Sequence, residues 1–271
     1  MVSETYGILD EMMTLDDITT EQFRRNGFIK IKDVLTPEAS NYFEEVTTLA
    51  VIEKYNREEA FSINPDLYAK AFQQISNIWE WCEPIRELVF SKRLASLATQ
   101  LMGTKGVRLY HDQALYKEAG GGITPWHCDQ VYWPLSNENT VTAWIPFQDT
   151  PMEMGPLGFS KGSHLKKMGR EFVISDESEK IISKQVKKLD YFCEPFQLGE
   201  VSFHYGFTMH NAPANNTDQA RKVMTIIYMD SEMKLIEPKT EAHRADHQRW
   251  LPKVKPGELC NSNLNPVIFS I

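Results

Sequence analysis

The spacing of hydrophobic residues changes near Val107, from a helical period to short runs that are typical of strands. In the first part of the chain, Phe43 and Val46 keep a near-helical spacing after Pro37, and Thr36 before this proline is a suitable N-cap. This pattern predicts a helix that begins at residue 37.

Residues 66–102 also have a mainly helical pattern, in which the amphipathic stretch SKRLASLATQLMG ends at Gly103, a suitable C-cap. Nearer the start, Ile29 and Ile31 alternate with lysines, which is the period of a half-buried strand. We therefore expect a mainly helical first part that contains one or two strands.

From Val107 onward, short stretches rich in Val, Ile, Thr, Tyr and Phe are separated by clusters of Gly, Pro and Asn. These stretches are GVRLYHDQALYKE, TVTAWIPFQDT, YFCEPFQLGEVSFHY and RKVMTIIYMDS, and one helical pattern, SDESEKIISKQVKKL, interrupts them. Helices followed by many short strands predict a mainly β fold with helical buttresses, in which the strands form a jelly roll or a barrel.

A chain of 271 residues can form one domain of this kind. We expect a single domain over 1–271, in which 1–105 is the helical buttress with one or two strands. The jelly-roll core then covers 106–235, with a helical insert near 175–190, and a C-terminal extension covers 236–271.

The charge balance argues against a nucleic-acid partner, because 37 acidic residues exceed 29 basic ones and give a net charge of −8. No apolar run reaches the roughly 18 residues that span a bilayer, and the first residues lack the pattern of a signal peptide. The four cysteines are scattered without CxxC spacing, as reduced thiols are. We expect a cytoplasmic protein without a membrane partner, either a monomer or a homodimer.

One local cluster departs from this acidic balance. It consists of Lys166, Lys167, Arg170, Lys184, Lys187 and Lys188. Such a cluster is typical of a solvated surface, and a handle for an anionic substrate is the alternative.

The stretch TPWHCDQVYWPL contains the first candidate for chemistry, His127 and Asp129. Seven histidines and 37 acidic residues make one such His-x-acid pair unsurprising by chance. In an extended strand, however, both side chains leave on the same face. Two histidines and one carboxylate on one face of a metal form the site of non-haem iron oxygenases.

A third ligand would have to come from a distant strand. The downstream candidates are His164, His204, His210, His243 and His247. Two of them stand in GEVSFHYGFTMHNAPANNTDQARKVMTIIYM, which also contains Arg221. A planar guanidinium is well suited to the far carboxylate of a keto-diacid cosubstrate such as 2-oxoglutarate.

The chain resembles the phytanoyl-CoA dioxygenase family of Fe(II)- and 2-oxoglutarate-dependent oxygenases. Four blocks in the family's order carry this resemblance: EQFRRNGFIKIKDVLTPEA, YHDQALYKEAGGGITPWHCDQVYWPL, TVTAWIPFQDTPMEMGPLGFSKGSHL and GEVSFHYGFTMHNAPANNTDQARKVMTIIYM. Together they cover most of the chain, and the resemblance implies a mainly β fold with helical buttresses around a double-stranded β-helix core, a cupin-like jelly roll.

The resemblance implies a metal site of His127, Asp129 and His210, with Fe(II) as the metal and O2 as a co-reactant. His204 falls where the family often has a histidine that is not a ligand. Met154 stands where the family usually has asparagine, so a hydrogen bond from that position is not expected. Because Asp129 is present, hydroxylation-type chemistry is favoured over halogenation.

For the cosubstrate 2-oxoglutarate, the resemblance implies contacts from Arg221, Gln113, Lys117 and Trp144. Tyr116 is a weaker candidate, because strand alternation places it on the face opposite Lys117.

Aromatic residues near the metal strand are candidates for a substrate pocket, since ligand sites are mostly apolar. We expect Tyr132, Trp133 and Phe207 to contact the substrate, whereas His111 and His164 are expected to be structural. His243 and His247 are spaced as a helical metal pair, but without the glutamate of an HExxH motif they are expected on a solvated helix face.

These features predict a dioxygenase that oxidises an unactivated C–H bond of a small organic molecule. A secondary metabolite, an amino-acid derivative or an acyl compound would suit the pocket. Hydroxylation is the default outcome, while desaturation, ring closure, epimerisation or endoperoxide formation can follow from the same chemistry. The alternatives are a cupin-like metal-dependent isomerase or hydrolase that does not use 2-oxoglutarate, and a non-catalytic small-molecule-binding module.

Overall fold

Two antiparallel sheets face each other at the centre of the protein. The structure is a computed structural model, and it describes residues 7–58 and 72–271. The strands, in chain order, are β1 (Phe28–Ile31), β2 (Phe72–Ser76), β3 (Gly106–Lys117), β4 (Thr124–His127), β5 (Thr140–Pro146), β6 (Gly158–Ser160), β7 (Tyr191–Cys193), β8 (Val201–Tyr205), β9 (His210–Ala212), β10 (Arg221–Asp230) and β11 (Val267–Ser270). Within this described part, the larger sheet has the order β1-β8-β5-β10-β3-β11, with β2 also paired to β3, and the smaller sheet has the order β4-β9-β6-β7. The predicted jelly-roll core is confirmed.

Helices cover the outer face of the larger sheet. They are α1 (Asp17–Asn26), α2 (Pro37–Glu58), α3 (Glu83–Val89) and α4 (Lys92–Met102); further along the chain lie α5 (Asp176–Val186) and α6 (Glu241–Trp250). The predicted caps are present: the N–H of Ala39 donates to Thr36 Oγ1 at 3.1 Å, and Gly103 ends α4 with a φ of 71°. No helix in the described ranges is long and apolar enough to cross a bilayer.

Two of the predicted stretches contain more than their patterns showed. The mainly helical pattern over 66–102 contains β2, the second strand of a part in which one or two were expected, and this strand pairs antiparallel with β3. Residues 66–71 of that prediction lie outside the described residues. The β-rich stretch YFCEPFQLGEVSFHY forms two strands, β7 and β8, which belong to different sheets. These strands depend on pairing with distant segments, which a short stretch does not reveal in sequence.

The larger sheet has two faces of different character. Residues such as Tyr116, Phe203 and Ile226 point towards the helices and form the main hydrophobic core. Every second residue points instead towards the smaller sheet, because side chains alternate along a strand. The inner face therefore carries the residues that meet the candidate site.

The register places the inner-face residues in rows across neighbouring strands. One row contains Gln113, Thr225 and Trp144, from β3, β10 and β5. The next row contains His111, Ile227, Thr142 and His204, from β3, β10, β5 and β8.

The C-terminal extension is attached to β3. Its strand β11 pairs antiparallel with the start of β3, and Arg108 on β3 donates from Nη1 to Asn261 Oδ1 at 2.8 Å and to the Asn265 carbonyl at 3.1 Å. The same extension contains α6, which packs against the short 3-10 helix Asp129–Tyr132.

Candidate active site

Two histidines and an aspartate meet on the smaller sheet. His127 and His210 are direct cross-strand partners on β4 and β9, and their ring centroids are 4.1 Å apart. Asp129 Oδ1 lies 3.7 Å from His127 Nε2 and 3.5 Å from His210 Nε2. One ligand atom from each residue lies within 4.8 Å of the others, which is the spacing of a metal site.

The local backbone differs from the expected continuous strand. β4 ends at His127, Cys128 is still extended, and Asp129 opens a short 3-10 helix that runs to Tyr132. Because the chain turns after Cys128, the Asp129 carboxylate comes back towards the two imidazoles. The His-x-Asp spacing thus brings both ligands together through a strand end.

Backbone carbonyls fix the orientation of both imidazoles. His127 Nδ1 lies 2.7 Å from the Pro125 carbonyl, and His210 Nδ1 lies 2.9 Å from the Thr208 carbonyl. An N–H at Nδ1 in each ring leaves the Nε2 lone pair facing the shared space, as metal-binding histidines require.

The protonation states also suit a metal. Burial lowers the pKa of His127 and of His210 to about 4, so both rings are neutral at pH 7. Burial alone would raise the pKa of Asp129, but His210 and His204 hold it well below its ordinary value. Two neutral imidazoles and one carboxylate are the donor set of the facial-triad iron sites, and the residues therefore fit Fe(II).

His204 contacts this group from the larger sheet. Its Nε2 lies 3.4 Å from Asp129 Oδ2, and Thr142 Oγ1 donates to the same oxygen at 3.1 Å. These contacts hold Oδ2 and leave Oδ1 towards His127 and His210. His204 lies outside the three-residue group with metal-site spacing.

A cavity of about 410 Å³ extends from the three ligands along the inner face of the larger sheet. Gln113, Trp144 and Arg221 line it, as expected for the cosubstrate contacts. Arg221 is 2% exposed, donates from Nη1 to the Gly155 carbonyl and lies with Cζ 5.5 Å from the Trp144 ring. A buried guanidinium at one end of a cavity is suited to an anionic cosubstrate.

Lys117 is placed beside Arg221 but does not line the cavity. The two residues are cross-strand partners, and Lys117 Nζ donates to the Pro213 carbonyl at 2.9 Å. Burial and the neighbouring Arg221 lower the pKa of Lys117 to about 7. The expected contact of this amine with the cosubstrate therefore requires a rotation of its side chain.

Of the expected substrate residues, Tyr132 and Trp133 line the cavity. Phe207 does not: it packs in a separate cluster with Trp126 and Met209, and the Arg170 guanidinium lies 3.8 Å above its ring. Phe207 lies in the turn between β8 and β9, which the bond from the Thr208 N–H to the Tyr205 carbonyl at 2.9 Å closes.

Arg170 belongs to the basic cluster, and it is already paired. Its two Nη atoms donate to the Glu138 carboxylate at 2.6 and 3.1 Å. No member of that cluster lines the cavity within the described residues.

The remaining histidines make structural contacts. His164 Nε2 bonds the Arg24 carbonyl at 3.0 Å. His243 and His247 are half-buried on α6, where they bond the carbonyls of Val131 and Val254 at 3.1 and 2.8 Å. The expected solvated face for these two is therefore wrong, because both rings join α6 to neighbouring loops.

Sequence reasoning missed a wall of the cavity. Asp246, Arg249 and Trp250 on α6, together with His111 on β3, line it opposite the smaller sheet. The ring of His111 stacks on Trp250, with centroids 4.6 Å apart. In the sequence, the only signal was a cluster of charged and aromatic residues in EAHRADHQRW, which does not indicate where a helix packs.

A jelly roll with two histidines and one aspartate on one side of a cavity, and a buried arginine further along it, defines the class of 2-oxoglutarate-dependent non-haem iron oxygenases. Within this class, the chain belongs to the phytanoyl-CoA dioxygenase (PhyH) family, whose model matches residues 23–223. The enzyme class predicted from the sequence is confirmed, and with it the use of iron, 2-oxoglutarate and O2.

Similar proteins of named activity are distant in sequence. A methylphosphonate hydroxylase of Gimesia maris is 24% identical over 225 residues, which covers 79% of this chain and 81% of the relative. A probable alpha-ketoglutarate-dependent hypophosphite dioxygenase of Stutzerimonas stutzeri is 22% identical over 220 residues, 76% of each chain. Both relatives act on small molecules.

A solved structure has the same fold. It is the non-haem alpha-ketoglutarate-dependent carbocyclase SnoK from nogalamycin biosynthesis, which superposes on this chain with a TM-score of 0.75. The two sequences are 24% identical, and the match covers 96% of this chain and 100% of SnoK.

Proposed function

We propose that His127, Asp129 and His210 bind the catalytic iron of this dioxygenase. The observation that carries the proposal is the position of Asp129 Oδ1, at 3.7 and 3.5 Å from the Nε2 atoms of His127 and His210. These three side chains would hold the iron beside the cavity, where bound iron would supply the chemistry of O2 and 2-oxoglutarate.

We further propose that Arg221 binds the far carboxylate of 2-oxoglutarate. The burial of its guanidinium and its place in the same cavity as the three ligands support this role. Gln113 and Trp144 stand in one row of the sheet between Arg221 and the row of His204. They are suited to contact the cosubstrate chain, while the Lys117 amine, which donates to the Pro213 carbonyl, would reach the cosubstrate only after its side chain turns.

We propose that the substrate binds in the remaining part of the cavity, next to Tyr132 and Trp133. The hydroxyl of Tyr132 accepts from the Ile174 N–H at 2.7 Å. This bond holds the segment before α5 against the cavity, where Ile174 is a lining residue, and so excludes water from the reaction space. Phe207, which was also expected at the substrate, would act through packing alone.

Bound iron and 2-oxoglutarate together supply an oxidant that reacts with an unactivated C–H bond, with O2 as co-reactant. The chain contributes fixed ligand geometry: the Pro125 and Thr208 carbonyls hold the two imidazoles, and Thr142 holds the aspartate. The aromatic side chains place the substrate C–H bond. Hydroxylation is the proposed outcome, because the carboxylate ligand is present.

The substrate is proposed as a small organic molecule, among secondary metabolites, amino-acid derivatives and acyl compounds. Since the named relatives act on methylphosphonate and hypophosphite, small phosphorus oxyanions and phosphonates belong in the first screen. The enzyme class makes a 2-oxoglutarate-independent isomerase or hydrolase, or a binding module, the less suitable interpretation.

We propose that residues 1–271 work as one catalytic unit, because the C-terminal extension pairs with β3 and lines the cavity. The four cysteines are free thiols, which supports a reducing, cytoplasmic setting.

The proposal is tested without O2 by adding Fe(II) and then 2-oxoglutarate to metal-free protein, and by recording the visible charge-transfer band of the chelated iron. We expect the band in the wild type, its loss in His210→Ala, and a requirement for at least about tenfold more 2-oxoglutarate in Arg221→Gln.

The control is His247→Ala, which removes a histidine bonded to the Val254 carbonyl and should keep the band. A folded wild type without a band, or an unchanged band in His210→Ala, would show that this triad is not the iron site.

A further inference from the structure

The helix α6 forms one wall of the active-site cavity although it lies beyond the segment that matches the family, which ends at residue 223. Asp246, Arg249 and Trp250 on this helix line the cavity. The helix is held in place by Thr240, whose side chain caps its N-terminus, and by the bond of His243 to the Val131 carbonyl. This wall therefore lies outside the family-matched segment, which contains the proposed metal and cosubstrate residues.

Arg249 brings a positive charge to that wall. Its Cζ lies 4.3 Å from the centroid of the Trp250 ring, and the residue is exposed at the cavity rim. Among the described residues its side chain has no salt bridge, whereas the Arg170 guanidinium is paired with Glu138. A guanidinium that stacks on an indole keeps its N–H donors in plane and available for an oxyanion.

The neighbouring acid does not cancel this charge. Asp246 is 9% exposed and is hydrogen-bonded to the Tyr110 hydroxyl. Burial raises the pKa of Asp246 to about 8, although the Tyr110 hydroxyl and Arg249 oppose this shift. Burial therefore favours the neutral form of the carboxyl group beside Arg249.

Flat rings continue from Arg249 into the cavity. Trp250 stacks on His111, and His111 meets Trp133 edge to face, with ring centroids 6.3 Å apart. Burial lowers the pKa of His111 to about 3, which keeps this ring neutral. The series offers an apolar surface from the rim towards the metal ligands.

We propose that α6 is the substrate-selecting wall of this enzyme, in which Arg249 binds an oxyanion of the substrate while Trp250 and Trp133 hold its apolar part. The oxyanion is a carboxylate or a phosphonate-type group, since both match a guanidinium. The inference rests on the proposed function, because it takes the cavity to be the active site. Arg249 acts by binding and takes no part in the chemistry.

Three probes of similar skeleton test the proposal: phenylacetate, benzylphosphonate and the neutral phenylacetamide. Their dissociation constants are measured by anaerobic calorimetry on protein loaded with Fe(II) and saturated with 2-oxoglutarate, so that Arg221 is already occupied. We expect the wild type to bind at least one of the two anions about tenfold more tightly than the amide. Tighter binding of phenylacetate would indicate a carboxylate substrate, and tighter binding of benzylphosphonate would indicate a phosphonate substrate.

In Arg249→Gln, the ratio of the dissociation constant of the amide to that of the anion should fall to about one. Arg249→Lys should keep part of the wild-type preference for the anion. The matched control is Arg244→Gln, which removes the same charge from an exposed residue of α6 that does not line the cavity and should keep the wild-type preference. An equal loss in Arg244→Gln would mean that only the overall charge matters, and would overturn the proposal.

The proposal also fails if the wild type binds anion and amide equally, if it binds none of the probes, or if Arg249→Gln keeps the preference. If any of these results occurs while every variant still shows the visible charge-transfer band of iron and 2-oxoglutarate, the substrate proposal fails but the proposed oxygenase function stands. If instead the band is missing, the same titration on metal-free protein still reports whether Arg249 selects anions.

Discussion

His204 holds the side of Asp129 that faces away from the two proposed histidine ligands: its Nε2 lies 3.4 Å from Asp129 Oδ2, while Oδ1 faces His210 at 3.5 Å. One carboxylate thus connects the smaller sheet, which supplies the ligands, with the larger sheet, which orients them. Partners of this kind around metal ligands affect both affinity and geometry.

His204→Ala should therefore weaken Fe(II) binding by about 10–100-fold without abolishing it. The measurement is a titration of metal-free protein with Fe(II) under anaerobic conditions. His164→Gln, outside the cavity, serves as the control. If His204→Ala abolishes binding while His210→Ala retains it, the two histidines have exchanged roles and His204 is the ligand.

Gly155 determines where the Arg221 guanidinium rests, because its carbonyl accepts from Nη1. Its φ is 71°, and a Cβ at this position would lie 2.3 Å from the Pro213 carbonyl oxygen. Gly155→Ala should lower the free energy of unfolding by more than the roughly 1–2 kcal/mol of a left-handed alanine, and should raise the KM for 2-oxoglutarate.

Gly120→Ala separates backbone strain from the steric clash, since Gly120 has a similar φ of 73° but nothing within 4 Å of the added Cβ. Denaturant unfolding of both variants gives the comparison. Equal destabilisation of the two, with an unchanged KM in each, would show that Gly155 does not support the arginine.

Lys117 and Arg221 are neighbours, yet we expect 2-oxoglutarate binding to depend much more on Arg221 than on Lys117. Arg221→Gln removes a guanidinium that lines the cavity, and we expect the KM for 2-oxoglutarate to rise at least about tenfold. Lys117→Met removes an amine that donates to the Pro213 carbonyl, and we expect a change of less than about threefold. Steady-state kinetics on both variants measure this, and a larger effect of Lys117→Met would mean that its amine turns into the cavity.

The buried Asp246 should make stability depend on pH. Its folded-state pKa of about 8, raised by burial, exceeds the unfolded value of about 4. Between these values the folded state binds more protons than the unfolded chain, so the free energy of unfolding falls as the pH rises from 4 to 8. Asp246→Asn should remove this decrease, which amounts to a few kcal/mol.

Urea unfolding at pH 5 and pH 8 checks the prediction, with the exposed Asp190→Asn as the control. Parallel pH dependence in the wild type and in Asp246→Asn would show that this carboxyl group is ionised in the folded protein.

The sequence contained most of the information about the fold, because alternation and caps are local. The cap at Thr36 and the alternation at Ile29 and Ile31 depend only on neighbouring residues, and the structure contains that helix and that strand. The strand β2 was missed because its stability comes from pairing with β3, and no local pattern encodes a partner.

The candidate site was predictable to different degrees. His127 and Asp129 stood out by spacing, but five downstream histidines were equally open from the residues alone, and only the family resemblance selected His210. The placement of Phe207 away from the cavity depends on a tight turn, and the approach of Arg249 depends on how the extension folds back. Both are consequences of tertiary packing, and the assignment of the ligands themselves stays a prediction.

The family match ends at residue 223, and the helix that closes the cavity begins at Glu241. The proposed ligands and the part of the opposite wall that α6 forms therefore occupy separate stretches of the polypeptide. Mutations in the tail can reshape that wall without disturbing the strands that hold the proposed ligands. Substitutions on α6 can thus change the oxyanion contact proposed for Arg249, while the aromatic contacts proposed for Tyr132 and Trp133 stay with the strand end that carries Asp129.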